Sequence, residues 1–340
     1  MITLDGSRGE GGGQIIRTAV ALSAITGQPV RIEHVRAGRE NPGLRPQHVT
    51  AVEAVAAICD AVTRGVEVGS DTITFKPRAP VRAGEYEWGV GTAGSACLVA
   101  QTVLLPLALA QGASKLTLYG GTHVPHSPSG HYLRDVYAPM LLRMGIGIEI
   151  YMGSYGWMPE GGGMLTIYLE GGARPQGQRL LERGPLERVF GYAVGCNLPS
   201  HIPQRMANRA INLLDVLDVP LDIRPQRTRS VSTGAGLFLT AEYANGRAGF
   251  GMLGRKGMPS EEVAERAVTP LLMFHDSGAA VDERLMDQLV LPLALAEGES
   301  VVSTSAITSH LRTNIDVVRA FLDRPIAVDE EKRVVTVGRQ

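Results

Sequence analysis

Apolar residues recur along this chain with two spacings, and the alternation between them outlines its elements. Ile2 and Leu4 form a short strand-like lead-in, and Ile15, Ile16, Ala19, Val20, Leu22 and Ala24 follow on one face of a 3.6-residue period. That spacing predicts a helix over Gln14–Ile25, ended at Gly27, then a strand over Val30–Val35, a loop over Arg36–Pro46 and a helix over Gln47–Cys59. The order then repeats. A second copy opens at Gly91-Thr92-Ala93-Gly94-Ser95, with helix Cys97–Ala110, Gly112, strand Lys115–Tyr119, loop Gly120–Gly130 and helix His131–Met144. A third has helix Met286–Ala296, a stop near Gly298, strand Ser300–Ser303 and helix His310–Leu322. Gly27, Gly112 and Gly298 occupy one helix-to-strand corner, where a glycine just past the helix end is expected. Extended pieces follow each second helix: Val66–Val68 with Thr72–Phe75, Ile146–Tyr151 with Met164–Leu169, and Ile326–Val328 with Val334–Val337. Each unit reads as two helices on a four-stranded mixed sheet, and three such units are expected to pack sheet-outward around their helices.

The interval between the second and third copies is too long for a plain repeat. It carries its own pattern: strand Val189–Val194, helix Gln204–Leu217, strands Leu221–Arg224, Gly236–Ala244 and Gly249–Leu253, and helix Glu261–Phe274. Asn245-Gly246 is a hairpin-turn signal between the last two strands. The fold class expected is α+β. A large domain of three βαβαββ-like units (residues 1–184 with 275–340) would carry a smaller inserted α/β domain (residues 185–274). Arg224, Arg227 and Arg229 in the insert form a basic cluster, either an RNA-backbone contact or a solvated loop.

Composition narrows the class. The 340 residues hold ample apolar content for a core, and a formal net charge of −1 gives no global field toward nucleic acid or membrane. Any polyanion must be held by local basic groups. Cys59, Cys97 and Cys196, odd in number and widely spaced, fit neither a disulfide framework nor a zinc site. The N-terminus lacks the basic and apolar regions of a signal peptide. The apolar run Leu98–Ala110 is broken by Gln101 and Pro106 and is too short to span a bilayer. A soluble cytoplasmic protein with no membrane partner is expected.

Chemistry concentrates in a few loops. Asp5–Arg17 runs from strand through a glycine-dense loop (Glu10, Gly11, Gly12, Gly13, Gln14) into a helix, the geometry in which backbone N–H groups point together at an anion. It lacks the Lys-Ser/Thr ending of a P-loop and the last glycine or alanine of a dinucleotide loop. Glu10 would repel a bare phosphate, so it is better explained as a ligand for a divalent cation accompanying a nucleotide. The alternative is a tight turn that binds nothing. In the same unit Arg36, Arg39 and Arg45 precede Gln47 and His48 at a helix start, and with Arg17 they could fork onto phosphate oxygens or serve as surface charge. His123, His126 and His131 have a spacing that matches no standard metal site and read better as a polar or substrate-lining loop. His310 follows Thr308 and Ser309, both able to cap its helix, and matches Gln47 and His131 of the other copies. At a helix start an imidazole is favoured in its neutral, nucleophilic form. It is otherwise a satisfied polar residue.

Glu10-Gly11-Gly12-Gly13-Gln14, Arg36…Arg39…Pro42-Gly43-Leu44…Gln47-His48, Gly91…Gly94-Ser95, Gly120-Gly121-Thr122, Pro159…Gly163, Asp287-Gln288…Pro292 and Ser309-His310-Leu311-Arg312-Thr313-Asn314 occur in an order that resembles the RNA 3′-terminal phosphate cyclase family. The resemblance runs from Asp5 to about Leu322 and includes the insert. It implies an ATP-dependent enzyme in which His310 attacks the α-phosphorus to form a histidyl–AMP. AMP then passes to an RNA 3′-terminal phosphate, and the 2′-hydroxyl closes a 2′,3′-cyclic phosphate. It further implies that Glu10 serves the nucleotide phosphates and a Mg²⁺ or Mn²⁺ ion, and that Gly11, Gly12, Gly13 and Gln14 form the nucleotide loop. Arg17, Arg39, Gln47 and His48 would bind phosphate and the RNA end, Asp287 and Gln288 would lie around the nucleoside, and Pro128 would pack on adenine. Two positions depart from the pattern. Arg284 stands where some relatives place an aromatic beside adenine, and His131 where many carry an acidic residue. The rival readings are a non-catalytic relative acting in ribosome assembly, against which His310 and Glu10 both speak, and an enolpyruvyl-type transferase of similar repeated fold. The second is weakened because Lys76 and Lys115, the two lysines before residue 130, lie outside the glycine and arginine loops.

Overall fold

The computed structural model describes residues 1–9 and 12–338. Its first unit is β1 (Ile2–Asp5), α1 (Gly13–Thr26), β2 (Val30–Glu33), α2 (Pro46–Cys59), β3 (Val62–Arg64) and β4 (Ile73–Lys76). The second is β5 (Glu85–Gly89), α3 (Ala96–Leu109), β6 (Ser114–Gly120), then α4 (Gly130–Tyr132), a π-helical turn (Leu133–Tyr137) and α5 (Ala138–Arg143) in unbroken succession, and β7 (Ile148–Ser154) and β8 (Gly163–Leu169). A two-residue strand, β9 (Arg179–Leu180), comes next. After it the chain leaves for β10 (Leu186–Cys196), α6 (His201–Leu214), β11 (Leu221–Thr228), β12 (Gly234–Tyr243), β13 (Gly246–Leu253) and α7 (Ser260–Ser277). It returns with α8 (Glu283–Leu295), β14 (Ser300–Ser303), α9 (Ser309–Phe321), β15 (Ile326–Asp329) and β16 (Val334–Val337).

Three of the four sheets have one topology. Their orders are β1-β2-β4-β3, β5-β6-β8-β7 and β9-β14-β16-β15. In each, the first pair is parallel and the other two antiparallel. The parallel pair follows from the intervening helix, since parallel neighbours need a crossover whereas antiparallel ones can join by a short loop. The third unit takes its first strand from before the insert and the rest from after it. The fourth sheet, β11-β10-β12-β13, differs in order, and its β12–β13 hairpin turns at Ala244-Asn245, with Tyr243 opposite Gly246.

One continuous core joins the three repeated units, including Leu22, Val52, Leu104, Leu141, Leu289 and Val318 from six helical segments, while strands such as β6 alternate buried and partly exposed positions. A sheet with one wet face and one core face packs its helices on the inside. α3 is buried at nearly every position, which explains its apolar run as a central core helix. Among the described residues no helix is long and apolar enough to cross a membrane. A second core, with Val189, Met206, Leu239, Val268 and Leu271, lies between the fourth sheet and α6 and α7.

Three expectations need correction. The partner of β4 is β3 at Val62–Arg64, and Val66–Val68 lies in the turn that follows. Gly27 caps α1 with φ 71°, but α3 and α8 end at Ala110 and Ala296 in extended conformation, with Gly112 and Gly298 further along at positive φ. α9, which has no proline, likewise ends in extended conformation at Leu322. The helix expected from His131 to Met144 contains the π turn, so it is not one regular helix.

Candidate active site

The repeated units meet at seams that pair the first turn of one unit's second helix with the first turn of the next unit's first helix. Gln47 Oε1 accepts the Ser95 N–H at 2.8 Å between the first and second units, and the Tyr132 hydroxyl donates to Asp282 Oδ1 at 3.4 Å between the second and third. Between the third and the first, His310 Nδ1 meets Gln14 Oε1 at 2.8 Å. The N-termini so gathered are mostly capped by side chains. Ser95, Ser129, Asp282 and Thr308 each accept a first-turn N–H of α3, α4, α8 and α9. α1 differs: its cap is Gly12, which has no side chain to satisfy the exposed N–H groups.

His310 is the second residue of α9 and is half-buried. An amide oxygen can only accept, so the bond to Gln14 puts the proton on Nδ1 and leaves the lone pair on Nε2. The start of α9 is triangulated. The Thr308 hydroxyl accepts the Leu311 N–H at 3.0 Å and donates to Asp287 Oδ1 on α8 at 2.8 Å. Buried Asn314 donates to the Asp287 carbonyl at 2.8 Å and accepts from Thr18 of α1 at 2.6 Å. Gln288, one residue on, accepts from Gln101 of α3 and donates to the Arg284 carbonyl at 3.0 Å. Arg284 itself is exposed, and Pro128 is half-buried in the loop between β6 and α4, its carbonyl accepting the Ser127 hydroxyl at 2.9 Å.

Beside Gln14 on α1, His48 and Arg17 converge on Gly13 as a polar socket: a methyl group on Gly13 would collide with His48 Nε2 and lie 2.9 Å from Arg17 Nη1. A methyl on Gly12 would lie 3.2 Å from Arg39 Nη2. The glycines are therefore needed for close approach. His48 is 3% exposed, and its Nδ1 accepts the Arg45 N–H at 3.0 Å. Burial first, then the positive charges of Arg17, Arg36 and Arg45, lower its pKa to about 3, so the ring is neutral with its proton on Nε2, facing the socket. Burial lowers the Arg17 pKa to about 10, far enough above neutrality that the guanidinium stays charged. Arg17 forms no hydrogen bond or ion pair with any described residue, and neither does His48 Nε2. A cation and a donor that converge on Gly13, with no acceptor for either among the described residues, suit an anion such as a phosphate.

The other expected residues fall in different places. Glu10 and Gly11 lie outside the described residues. Arg36 turns back on its own loop, donating to the carbonyls of Asn41 and Gly43 at 2.7 and 2.8 Å. His123 and His131 are 1% and 3% exposed and bonded to each other at 2.8 Å, among Tyr155, Tyr192 and Phe238, where the second unit packs on the fourth sheet. They are part of that packing rather than a loop lining a substrate. His126 is exposed. The basic cluster of the insert is divided: Arg224 pairs with Asp222, while Arg227 donates to the Leu198 carbonyl. Among the described residues no three histidine, cysteine or carboxylate side chains converge as a metal site. Thr18 and Asn314, which fasten the α1–α9 seam, escaped the sequence reading of roles. Their signal is a polar residue in an otherwise apolar helix face, Thr18 beside Ile15, Ile16 and Ala19.

His310, bonded through Nδ1 to Gln14, and the Arg17 and His48 side chains that converge on Gly13 meet at neighbouring residues of the α1 N-terminus on a three-unit α+β scaffold. The chain matches the family described as RNA 3′-terminal phosphate cyclase over residues 8–328, and it belongs to that family. It is 50% identical to the RNA 3′-terminal phosphate cyclase of Trichormus variabilis, covering 99% of each chain. It is also 50% identical to that of Methylococcus capsulatus, covering 94% of this chain and 91% of the relative, and 41% identical to that of Caldivirga maquilingensis, covering 99% and 97%.

Proposed function

We propose that this protein converts an RNA 3′-terminal phosphate to a 2′,3′-cyclic phosphate at the expense of ATP, through a covalent histidyl–AMP on His310. The observation that carries this reading is that His310, its proton held on Nδ1 by Gln14, meets α1 one residue from Gly13, on which Arg17 and His48 converge. In the first step the Nε2 lone pair forms a bond to the α-phosphorus of ATP, and the bond from that phosphorus to the bridging oxygen breaks. Pyrophosphate leaves with the electron pair. The imidazole becomes cationic, its Nδ1–H still donating to Gln14. In the second step an oxygen of the RNA 3′-phosphate attacks the same phosphorus, and the P–N electrons return to Nε2. In the third the 2′-hydroxyl oxygen attacks the RNA phosphorus, loses its proton and expels AMP, a ring closure assisted by proximity.

In this reading Arg17, His48 and Arg39 hold phosphate oxygens, and Gln47 ties their unit to the α3 N-terminus through Ser95. Asp287 and Gln288 flank the nucleoside, with Pro128 and Arg284 at the base; a guanidinium can stack on a nucleobase. Gly11, Gly12 and Gly13 let the phosphates approach the start of α1. Glu10 would hold a Mg²⁺ or Mn²⁺ ion, which when bound supplies charge neutralisation at the phosphates. The protein is incubated with ATP labelled at the α-phosphate and a divalent cation, without RNA, as wild type and as His310→Ala. An acid-labile, alkali-stable label on wild type alone is expected. Label on folded His310→Ala would remove His310 as the nucleophile, and no label on either would favour a non-catalytic RNA-binding role.

A further inference from the structure

The fourth sheet has one face on α6 and α7, through Val189, Ala193, Ile223, Leu237 and Leu239. Side chains alternate along a strand, and directly paired residues share a face. The register therefore puts Arg188, Phe190 and Tyr192 of β10 on the other face, with Asp222, Arg224 and Gln226 of β11, Phe238 and Glu242 of β12, and Arg247 of β13. The second unit covers part of that face. His131 stacks on the Tyr192 and Phe238 rings, at 4.6 and 5.1 Å between centroids, and the Tyr155 hydroxyl donates to Gln226 at 2.7 Å. Beside the covered part is a recess of about 180 Å³ lined by Arg188, Phe190, Gly191, Tyr192, Asp222 and Arg224. It exceeds the space of one water roughly tenfold.

The Arg188 guanidinium lies 4.9 Å over the Phe190 ring and that of Arg247 5.8 Å, while Arg134 lies 4.9 Å over Tyr192. Glu242 accepts from Arg188 and Arg247, and Asp135 from Arg134 at 2.7 Å. Those two carboxylates are 16% and 13% exposed, against 49% for Arg188 and 64% for Arg224, so the surface offers guanidinium and ring in preference to carboxylate. Asp222 is the exception, and its exposed pair with Arg224 opens at little cost. Rings and guanidinium planes on a sheet face are a stacking platform for unpaired bases, with further arginines for the phosphates. A base held there can donate an N–H to Asp222. Bases within a duplex stack on one another and have no free face, so the fit is to a single strand. A larger recess between β1 and α9 holds Arg8 and Arg312 but also Asp5, Glu33 and Asp316, and no phenyl or phenol ring, so it suits a polyanion less.

We propose that the outer face of the fourth sheet is a second RNA contact: an unpaired nucleotide upstream of the 3′ end stacks in the Phe190–Tyr192 recess, and Arg188 and Arg224 hold its phosphates. This rests on the reading of the protein as acting on RNA 3′ ends and names what the insert does for it. The covered part of the face lies on His131 and Tyr132, and Tyr132 also bonds Asp282 at the cap of α8. The platform is thus fastened to the segments carrying Pro128 and Arg284, which that reading puts beside the base of ATP. Stacking is sequence-tolerant because every base has a face, so the contact adds affinity for single strands without selecting among them.

The test uses the full-length protein without ATP and three fluorescent ligands: a single-stranded RNA with a 3′-phosphate, the same strand in a blunt duplex, and a mononucleoside 3′-phosphate. Anisotropy is read for wild type, Phe190→Leu, Arg224→Gln and, as a control on α6 behind the sheet, Arg205→Gln. Phe190→Leu should weaken the single strand about five- to a hundredfold, the range for one stacked base. Arg224→Gln should weaken it too and lower the slope of log Kd against log salt by about 0.7, the value for one phosphate contact on a single strand. The mononucleotide, the duplex and Arg205→Gln should show neither effect. Single-strand affinity unchanged in either folded variant would overturn the proposal, as would the same loss for the mononucleotide, for the duplex, or in Arg205→Gln. Arg224 is exposed, so its variant tests the contact even where Phe190→Leu does not fold. Labelling of the wild type by ATP reads the histidyl–AMP step separately. Labelled protein without the variant effects loses the platform alone, and unlabelled protein with them loses the covalent step alone.

Discussion

Replacing Gln14 with methionine removes one atom that matters, the Oε1 that accepts the His310 Nδ1–H at 2.8 Å. Methionine keeps the length and the helix propensity, and position 14 is only half-buried, so the fold should change by less than about 0.5 kcal/mol. The transition state is another matter. In the proposed adenylylation, bonding of Nε2 to phosphorus gives the ring positive charge, and the bond to Gln14 becomes a charge-assisted one, worth about 1.5–3 kcal/mol. At about 1.4 kcal/mol per tenfold in rate, adenylylation should slow by roughly ten- to a hundred-and-fiftyfold. The assay is single-turnover labelling with α-labelled ATP, quenched over time, with the thermal midpoint measured on the same preparation. Labelling within twofold of wild type, at an unchanged midpoint, would refute the idea that Gln14 holds the reactive tautomer.

Other outcomes follow from the same geometry. An RNA whose 3′-phosphate sits on a terminal 2′-deoxyribose should be adenylylated but not cyclised, as read by chromatography of the products; a cyclic product would contradict attack by the 2′-oxygen. Stability should fall in mild acid. His48, His123 and His131 are held neutral chiefly by burial, with folded pKa values about 3 for the first two and well below 6.5 for the third, whereas the unfolded chain binds these protons below 6.5. Their contribution is present above pH 6.5 and is lost as the pH falls below it. Asp282, raised to about 6 by burial, works the other way between its unfolded value and 6. Near pH 5 His48 and His123 gain two protons on unfolding against one released by Asp282, so urea midpoints should report a loss of about 1.4 kcal/mol per pH unit, with His131 adding to it in the same direction. A flat profile between pH 6.5 and 4.5 would show that these histidines are not buried neutral.

Much of the architecture is written locally. A polar cap followed by an apolar period marks α3, α8 and α9 from Ser95, Asp282 and Thr308 onward, and strand β14 runs over the same four residues that the pattern predicts. The strands that escaped notice, β5 and β9, are short or mostly polar, and β9 is two residues long, which leaves no period to read. β3 was misplaced by a few residues because Val66 and Val68 look more like a strand than Val62–Arg64 does.

By itself the sequence determined the three repeated units, the helix starts and the glycine-lined beginning of α1, since caps, periods and glycine loops act over a few neighbours. The tertiary structure alone decided which side chains meet. Gln14 and His310 are 296 positions apart and meet because the third unit packs its second helix against the first unit's first helix. Arg17 and Arg36 look alike in the chain, yet one lies beside His48 against Gly13 and the other is bound to its own loop. His131 and His310 stand at the same place in their units, and the fourth sheet covers the first with Tyr192 and Phe238. Burial and pairing across such distances arise from the docking of whole apolar faces, and no local window of sequence contains them.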